Sequence, residues 1–174
     1  MSLATDTGWK SVVLRASGEC DGEFFHRVYA STRSDELALV PWSAEAKECF
    51  LRQQFQAQDR AYRNDYPGAE FWIVVVDGTD AGRLFVQRAP GEIRIMDIAL
   101  LPGFRGRGIG THLLNQILQE AENASRKVTI HVEVFNPAQR LYQRLGFSKV
   151  AANEVYCLME WGPRIVRPET EPNL

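Results

Sequence analysis

The feature that most constrains this chain is an abrupt change of character near Pro102. From Phe71 to Leu101, apolar runs are separated by Asp77-Gly78 and Ala89-Pro90-Gly91, the punctuation of an antiparallel meander with tight turns. Directly after Pro102-Gly103 comes Arg105-Gly106-Arg107-Gly108-Ile109-Gly110, and then Ile109, Leu113, Leu114, Ile117, Leu118 and Ala121 fall on one helical stripe. A helix with one apolar stripe has to cover a sheet, so the glycine-rich segment sits at a strand-to-helix junction of an α/β domain.

Glycines at alternate positions remove Cβ atoms, and the first amides of the following helix have no partner within it. Such a place suits a diphosphate, since the helix dipole adds about half a positive charge there and Arg105 and Arg107 can supply charge-assisted hydrogen bonds. The glycines alone are equally compatible with an ordinary strand-to-helix turn. Two nucleotide motifs are excluded. A Walker loop needs Gly-Lys-Ser/Thr, and here Thr111 follows Gly110 with no lysine before it. A dinucleotide fingerprint needs wider glycine spacing and a second parallel unit, whereas this segment follows a meander.

The rest of the chain frames that junction. Trp9 to Ala16 reads as a first strand. Asp21 to Ala30 carries Phe24, Phe25, Val28 and Tyr29 at helical spacing, and Ser43 to Arg63 forms a longer helix with Ser43 as N-cap and Glu45 and Glu48 near its positive end. Strands are expected over Phe71 to Val76, Ala81 to Arg88 and Ile93 to Leu101. Val128 to Val134 alternates apolar residues with Thr129, His131 and Glu133, the pattern of a strand with one polar face. Asn136-Pro137 starts a short helix that Gly146-Phe147 closes, and Val150 to Trp161 forms a last hairpin. The tail over 163–174, rich in proline and glutamate, is expected to lie loosely on the surface.

At 174 residues the chain fits one domain, 1–174, with no repeat or linker. Its 45% apolar and 24% charged residues are ordinary for a globular protein, and a net charge of -2 from interspersed charges shows no footprint for nucleic acid or an anionic membrane. The N-terminus lacks the layout of a signal peptide, and no apolar run approaches a bilayer span, so a cytoplasmic location is expected. Cys20, Cys49 and Cys157 are spaced as free thiols, with Cys49 and Cys157 expected to be buried packing residues. His131-Val132-Glu133 matches half of a zinc deaminase signature whose Pro-Cys-x-x-Cys half is missing, and His26 and His112 have no second ligand at metal spacing. No metal is expected.

Arg105-x-x-Gly108-x-Gly110, preceded by Ile98-Ala99-Leu100-Leu101-Pro102, resembles the coenzyme A signature of the GNAT N-acetyltransferase superfamily. Val132 through Asn136-Pro137-Ala138, with Leu141-Tyr142 and Leu145-Gly146-Phe147, resembles that superfamily's second hallmark, in the right order. The resemblance implies a mixed, mostly antiparallel sheet with helices on both faces, whose central strands near 93–101 and 128–134 splay to admit pantetheine. It implies acetyl-CoA as acyl donor, main-chain contacts from Ile98 and Leu100 with Ala99 beside the cofactor, and a pyrophosphate wrapped by Arg105, Gly106, Arg107, Gly108, Ile109, Gly110 and Thr111. Asn136 and Ala138 would lie beside the pantetheine or adenosine. Dimers are common in the superfamily, so a homodimer is compatible with it.

The implied reaction is direct transfer of an acetyl group to a primary amine in a ternary complex. An amine must lose a proton before it attacks a thioester, and the departing sulfur benefits from gaining one. By resemblance Tyr142 is the acid. The base is open among His131, Asp97, Glu133 and water: His131 occupies a position similar to the catalytic glutamate of ribosomal-protein alanine acetyltransferases, Glu133 shares its strand face, and Asp97 lies on the neighbouring strand. Arg33, Trp42, Gln54, Tyr66 and Tyr156 are candidates to line the acceptor site. The acceptor is a small molecule or peptide amine; the competing readings are a non-catalytic acyl-CoA sensor and an adaptor without cofactor.

Overall fold

The computed structural model describes residues 8–163; the expected tail over 164–174 lies outside the described residues. Seven strands form one sheet in the order β1-β2-β3-β4-β5-β7-β6. They are β1 (Val12–Ala16), β2 (Glu70–Val76), β3 (Thr79–Ala89), β4 (Glu92–Leu100), β5 (Lys127–Glu133), β6 (Ser148–Ala152) and β7 (Tyr156–Trp161). Helices α1 (Gly22–Ala38) and α2 (Ala44–Asp65) separate β1 from β2, α3 (Ile109–Asn123) joins β4 to β5, and α4 (Gln139–Arg144) precedes β6. Neighbouring strands are antiparallel except β4 and β5, whose connection through α3 makes them parallel.

Strand alternation sorts the core into two layers. Val74, Val76, Leu84, Val86, Ile93, Ile95, Val128, Ile130 and Val132 face α3 and α4, where Leu113, Leu114, Ile117 and Ala121 complete the stripe read from the sequence. Ile73 and Phe85 point the other way and pack with Phe25, Tyr29, Leu51 and Phe55 of α1 and α2. Helices therefore cover both faces, as expected for a mixed sheet buried on both sides. The β2–β3 turn places both Asp77 (φ 49°) and Gly78 (φ 81°) in the left-handed region, the backbone of a two-residue hairpin.

Element bounds differ from the sequence expectation in two informative places, and one residue's burial differs as well. Helix α1 continues to Ala38 rather than stopping near Ala30. Ser31 and Thr32 hydroxyls donate to the carbonyls of Val28 and Tyr29, both at 2.7 Å, so polar residues of modest helix propensity stay inside the helix. Helix α4 starts at Gln139, because Pro137 and Ala138 form a turn in which Asn136 Oδ1 accepts from the Ala138 amide at 2.9 Å. Cys49 is exposed, not a packing residue: α2 buries Leu51 and Phe55, and Cys49 lies off that face, while Cys157 is buried as expected. Ser43 does cap α2, accepting from the Ala46 amide at 3.2 Å.

Candidate active site between two parted strands

The parallel ladder between β4 and β5 runs only from Glu92 opposite Lys127 to Ile95 opposite Ile130. Both strands continue, β4 to Leu100 and β5 to Glu133, yet they are no longer paired with each other. Two local features separate them. In β4 the partner of Phe85 is Asp97 and that of Val86 is Ile95, so Met96 is an extra residue, a bulge that bends the strand where the ladder ends. Tyr62 of α2 donates to the Met96 carbonyl at 3.2 Å and holds the bulge. On the other side β5 stays tied to β7 as far as Glu133 opposite Tyr156.

The gap exposes backbone on the β4 edge. Leu101 donates to the Ala81 carbonyl at 2.8 Å, which turns the polar groups of Leu101 and, by alternation, of Ala99 toward β3. Those of Ile98 and Leu100 then face the open edge, as main-chain contacts to an extended ligand require. Ala99 meets the cavity with its side chain only. In β3, Gly82, opposite Leu100, has no room for a side chain: a Cβ there would lie 2.3 Å from the Ala99 carbonyl oxygen and 2.9 Å from Leu100 Cα. Nothing in the sequence reading pointed to Gly82.

Past Leu101, a single turn over Pro102–Phe104 leads into the glycine loop. Gly106 (φ 72°) and Gly108 (φ 77°) are left-handed, and a Cβ at either position would meet nothing within 4 Å. The first helical bond of α3 runs from the His112 amide to the Gly108 carbonyl at 2.9 Å. Among the described residues, the amides of Gly106, Arg107, Gly108, Ile109, Gly110 and Thr111 donate to no acceptor. A run of unsatisfied amides at a helix N-terminus, beside open space, is an anion cradle and fits a diphosphate. Ile109 contributes only its amide, since its side chain is in the core.

The two loop arginines are placed differently from the sequence expectation. Arg105 Nε donates to the Leu100 carbonyl at 2.7 Å, and its Nη2 donates to Ser31 O at 3.0 Å and Ser31 Oγ at 2.9 Å, which straps the loop to β4 and α1. Arg107 donates to the Gly8 carbonyl and lies over the Phe104 ring, while Trp9 Nε1 donates to the Arg107 carbonyl at 2.9 Å. Both guanidiniums are engaged by backbone carbonyls, so the cradle consists of amides, with the arginines bracing it.

At the inner end of the gap is a cavity of about 200 Å³. Tyr142, His131, Asp97, Glu133 and Asn136 all line it, together with Ile98 and Ala99. Tyr142 is 4% exposed, edge-on to Phe147 with centroids 5.7 Å apart, and its hydroxyl has no hydrogen-bond partner among the described residues. Burial pushes the Tyr142 phenol above the usual tyrosine value and the Asp97 charge adds to the effect, so it is held protonated. Gln139, buried, donates to the carbonyls of Glu133 and Val134 at 2.9 and 2.8 Å and fixes α4 against the end of β5.

The three protein groups weighed as bases are not equivalent. Asp97 accepts from Arg83 Nη2 at 2.5 Å, and Glu133 lies 2.8 Å from Arg33 Nη2. His131 is exposed toward the cavity and has no hydrogen-bond or ion-pair partner among the described residues. Of the five suggested acceptor residues, Arg33 and Tyr156 line the cavity. Trp42 packs edge-on against Phe50 at the surface, Gln54 is exposed, and Tyr66 packs on Tyr62. Tyr29, Gln58 and Tyr62 line it unanticipated, because α1 and α2 deliver them only once docked on the sheet, and so does Arg83 from β3.

No described helix is long and apolar enough to cross a membrane, and no group of three or more His, Cys, Asp or Glu among the described residues is placed to hold a metal. The model of the acetyltransferase (GNAT) family matches residues 34–147. The N-acetylaspartate synthetase of Rattus norvegicus is 31% identical over 116 residues, which is 64% of this chain and 38% of that protein, so the match spans well under half of that relative's length. The ribosomal protein bS18-alanine N-acetyltransferase of Haemophilus influenzae is 25% identical over 138 residues, 79% of this chain and 82% of that protein. Among solved structures, an N-acetyltransferase from Thermoplasma acidophilum in complex with coenzyme A superposes with a TM-score of 0.66 at 17% identity, over 88% of this chain and 99% of that one. With the family model covering more than half of its length, this chain belongs to the GNAT acetyltransferase family.

Proposed function

We propose that this protein is an N-acetyltransferase that moves an acetyl group from acetyl-CoA to a primary amine of a small molecule or peptide by direct attack, with both substrates held at once. The observation that carries the reading is the unsatisfied amide run from Gly106 to Thr111 at one end of an open strand edge whose other end reaches Tyr142 and His131. Acetyl-CoA supplies an activated thioester. The loop amides hold its diphosphate, and the outward-facing backbone of Ile98 and Leu100 aligns its arm. Asn136 Oδ1 is engaged with Ala138, which leaves the Asn136 amide nitrogen to donate along the same edge.

His131 takes the proton from the attacking amine, directly or through water, since it is the one candidate base without a protein partner. Tyr142, buried and protonated, gives its proton to the departing sulfur. Asp97 and Glu133 act as ion-pair partners that shape the wall. The named relatives, which form N-acetyl groups on aspartate or on a ribosomal-protein alanine, support amine acetylation in general.

The test is thiol release from acetyl-CoA against a broad amine panel, beside calorimetry of coenzyme A. Tyr142→Phe and His131→Ala should each lower kcat by about 10²-fold or more, in the range of a lost proton-transfer group, with coenzyme A affinity nearly unchanged. Coenzyme A binding without release for any amine would leave a sensor and overturn the transfer reading.

A further inference from the structure

We infer that the acceptor is an amino acid with its carboxyl group free, and that Arg33 receives that carboxylate. The inference rests on the transfer reading above and names its substrate class. The acceptor side of the cavity carries two guanidiniums, Arg33 and Arg83, and two carboxylates, Glu133 and Asp97. These pairs differ in what they leave open. Arg83 is an interior strut: its side chain is 2% exposed and reaches Asp97 at 2.5 Å, Gln58 at 3.3 Å and the Phe25 carbonyl at 3.5 Å.

Arg33 is open, with a side chain 26% exposed, and extends from α1 toward β5. A guanidinium presents five N–H donors in a rigid fork. Among the described residues, Nη2 alone meets an acidic oxygen within hydrogen-bond distance, that of Glu133 at 2.8 Å. The nearest carboxylate oxygen to Nη1 belongs to Glu36 at 3.6 Å, beyond a normal hydrogen bond, and the buried Nε has no partner. The planar group with two oxygens that matches such a fork is a carboxylate.

Charge on the cavity wall argues the same way. Asp97 and Glu133 each face a guanidinium already, so a polycationic amine finds no unneutralised acid among the described lining residues. A zwitterion adds no net charge to that balanced wall: its carboxylate takes the Arg33 donors that Glu133 leaves open, and its amine lies toward His131. Glu133 and His131 lie on one face of β5 and two residues apart, ~7 Å along the strand, so an amine a few bonds from the carboxylate reaches His131 while the carboxylate stays on Arg33. A cavity of about 200 Å³ also suits a small acceptor.

The experiment measures thiol release from acetyl-CoA with the standard amino acids, their carboxamides, the corresponding decarboxylated amines, and spermidine. An amino acid should be turned over with kcat/KM at least about tenfold above that of its carboxamide, the scale of one charge-assisted hydrogen bond. Arg33→Gln should remove most of that ratio through KM while coenzyme A still binds by calorimetry. Arg33→Lys, which keeps the charge without the fork, should fall between, and serves if the glutamine variant fails to fold. Equal rates for acid and carboxamide, or a preference for spermidine, would overturn the inference and leave the transfer reading standing. No release with any amine, despite coenzyme A binding, would instead remove the transfer reading itself.

Discussion

Gly82 offers the sharpest mechanical test of the cleft. It lies in β3 opposite Leu100, and an alanine Cβ would sit 2.3 Å from the Ala99 carbonyl oxygen, 2.7 Å from Leu100 Cδ2 and 2.9 Å from Leu100 Cα. Non-bonded heavy atoms settle at about 3.5–4.0 Å. The leucine methyl can rotate away, but the carbonyl oxygen and the Cα belong to the backbone, so β4 itself has to move by about an ångström. Overpacking of this kind costs typically about 1–3 kcal/mol, and a backbone obstacle puts Gly82→Ala near the top of that range. For a domain of this size that is a fall in Tm of about 6–12 °C. The displaced segment is the one whose outward-facing Ile98 and Leu100 backbone forms the cleft edge, so coenzyme A affinity should fall by about tenfold as well. Thermal unfolding with and without coenzyme A, alongside calorimetry, reads both effects. A Tm within about 2 °C of the parent protein, with unchanged affinity, would refute the claim that β3 and β4 pack this closely beside the cleft.

Gly108→Val probes the opposite situation. Its Cβ meets no protein atom, so the stability loss is confined to the left-handed backbone, about 1–2 kcal/mol, whereas crowding of the anion cradle should weaken coenzyme A by a larger factor in calorimetry. Half-buried Tyr62 and buried Tyr142, both raised first by burial and then by the Asp97 charge, give an alkaline prediction. Their protonated forms are favoured by folding, so this contribution to stability is complete below the unfolded tyrosine value near 10 and is lost as pH rises through their higher folded values. Ultraviolet titration should therefore show part of the tyrosine ionising well above pH 10 in the folded protein, with Tyr142→Phe reducing that fraction; a single ordinary transition near 10 would count against the burial argument.

Much of the frame is legible from local pattern because its causes are local. The stripe from Ile109 to Ala121 has one way to be buried, and β5 shows its two faces through the alternation of Val128, Ile130 and Val132 with Thr129, His131 and Glu133. Ser43 acts through its own hydroxyl and Asp77-Gly78 and Gly108 through their own backbone geometry, so caps and turns appear where the residues put them. The misplaced ends have non-local or side-chain causes. Helix α1 runs on because Ser31 and Thr32 bond back to the helix, and Cys49 is exposed because the face of α2 is chosen by what Leu51 and Phe55 pack against.

By itself the amino-acid order determined that a meander, a glycine junction and an amphipathic helix follow one another, and its motif resemblance pointed to Tyr142, His131 and Asn136, which line one cavity. Only the tertiary structure decided that there is a cleft. It depends on the Met96 bulge, on Tyr62 reaching that bulge from α2, and on β5 holding to β7 after it leaves β4. The same holds for the partners of Asp97, Glu133 and Arg105, which lie 14 residues away at Arg83, far off at Arg33, and 74 away at Ser31. Periodicity encodes which way a residue faces on its own element; which charge it then meets is set by how distant elements dock, and no short-range pattern carries that.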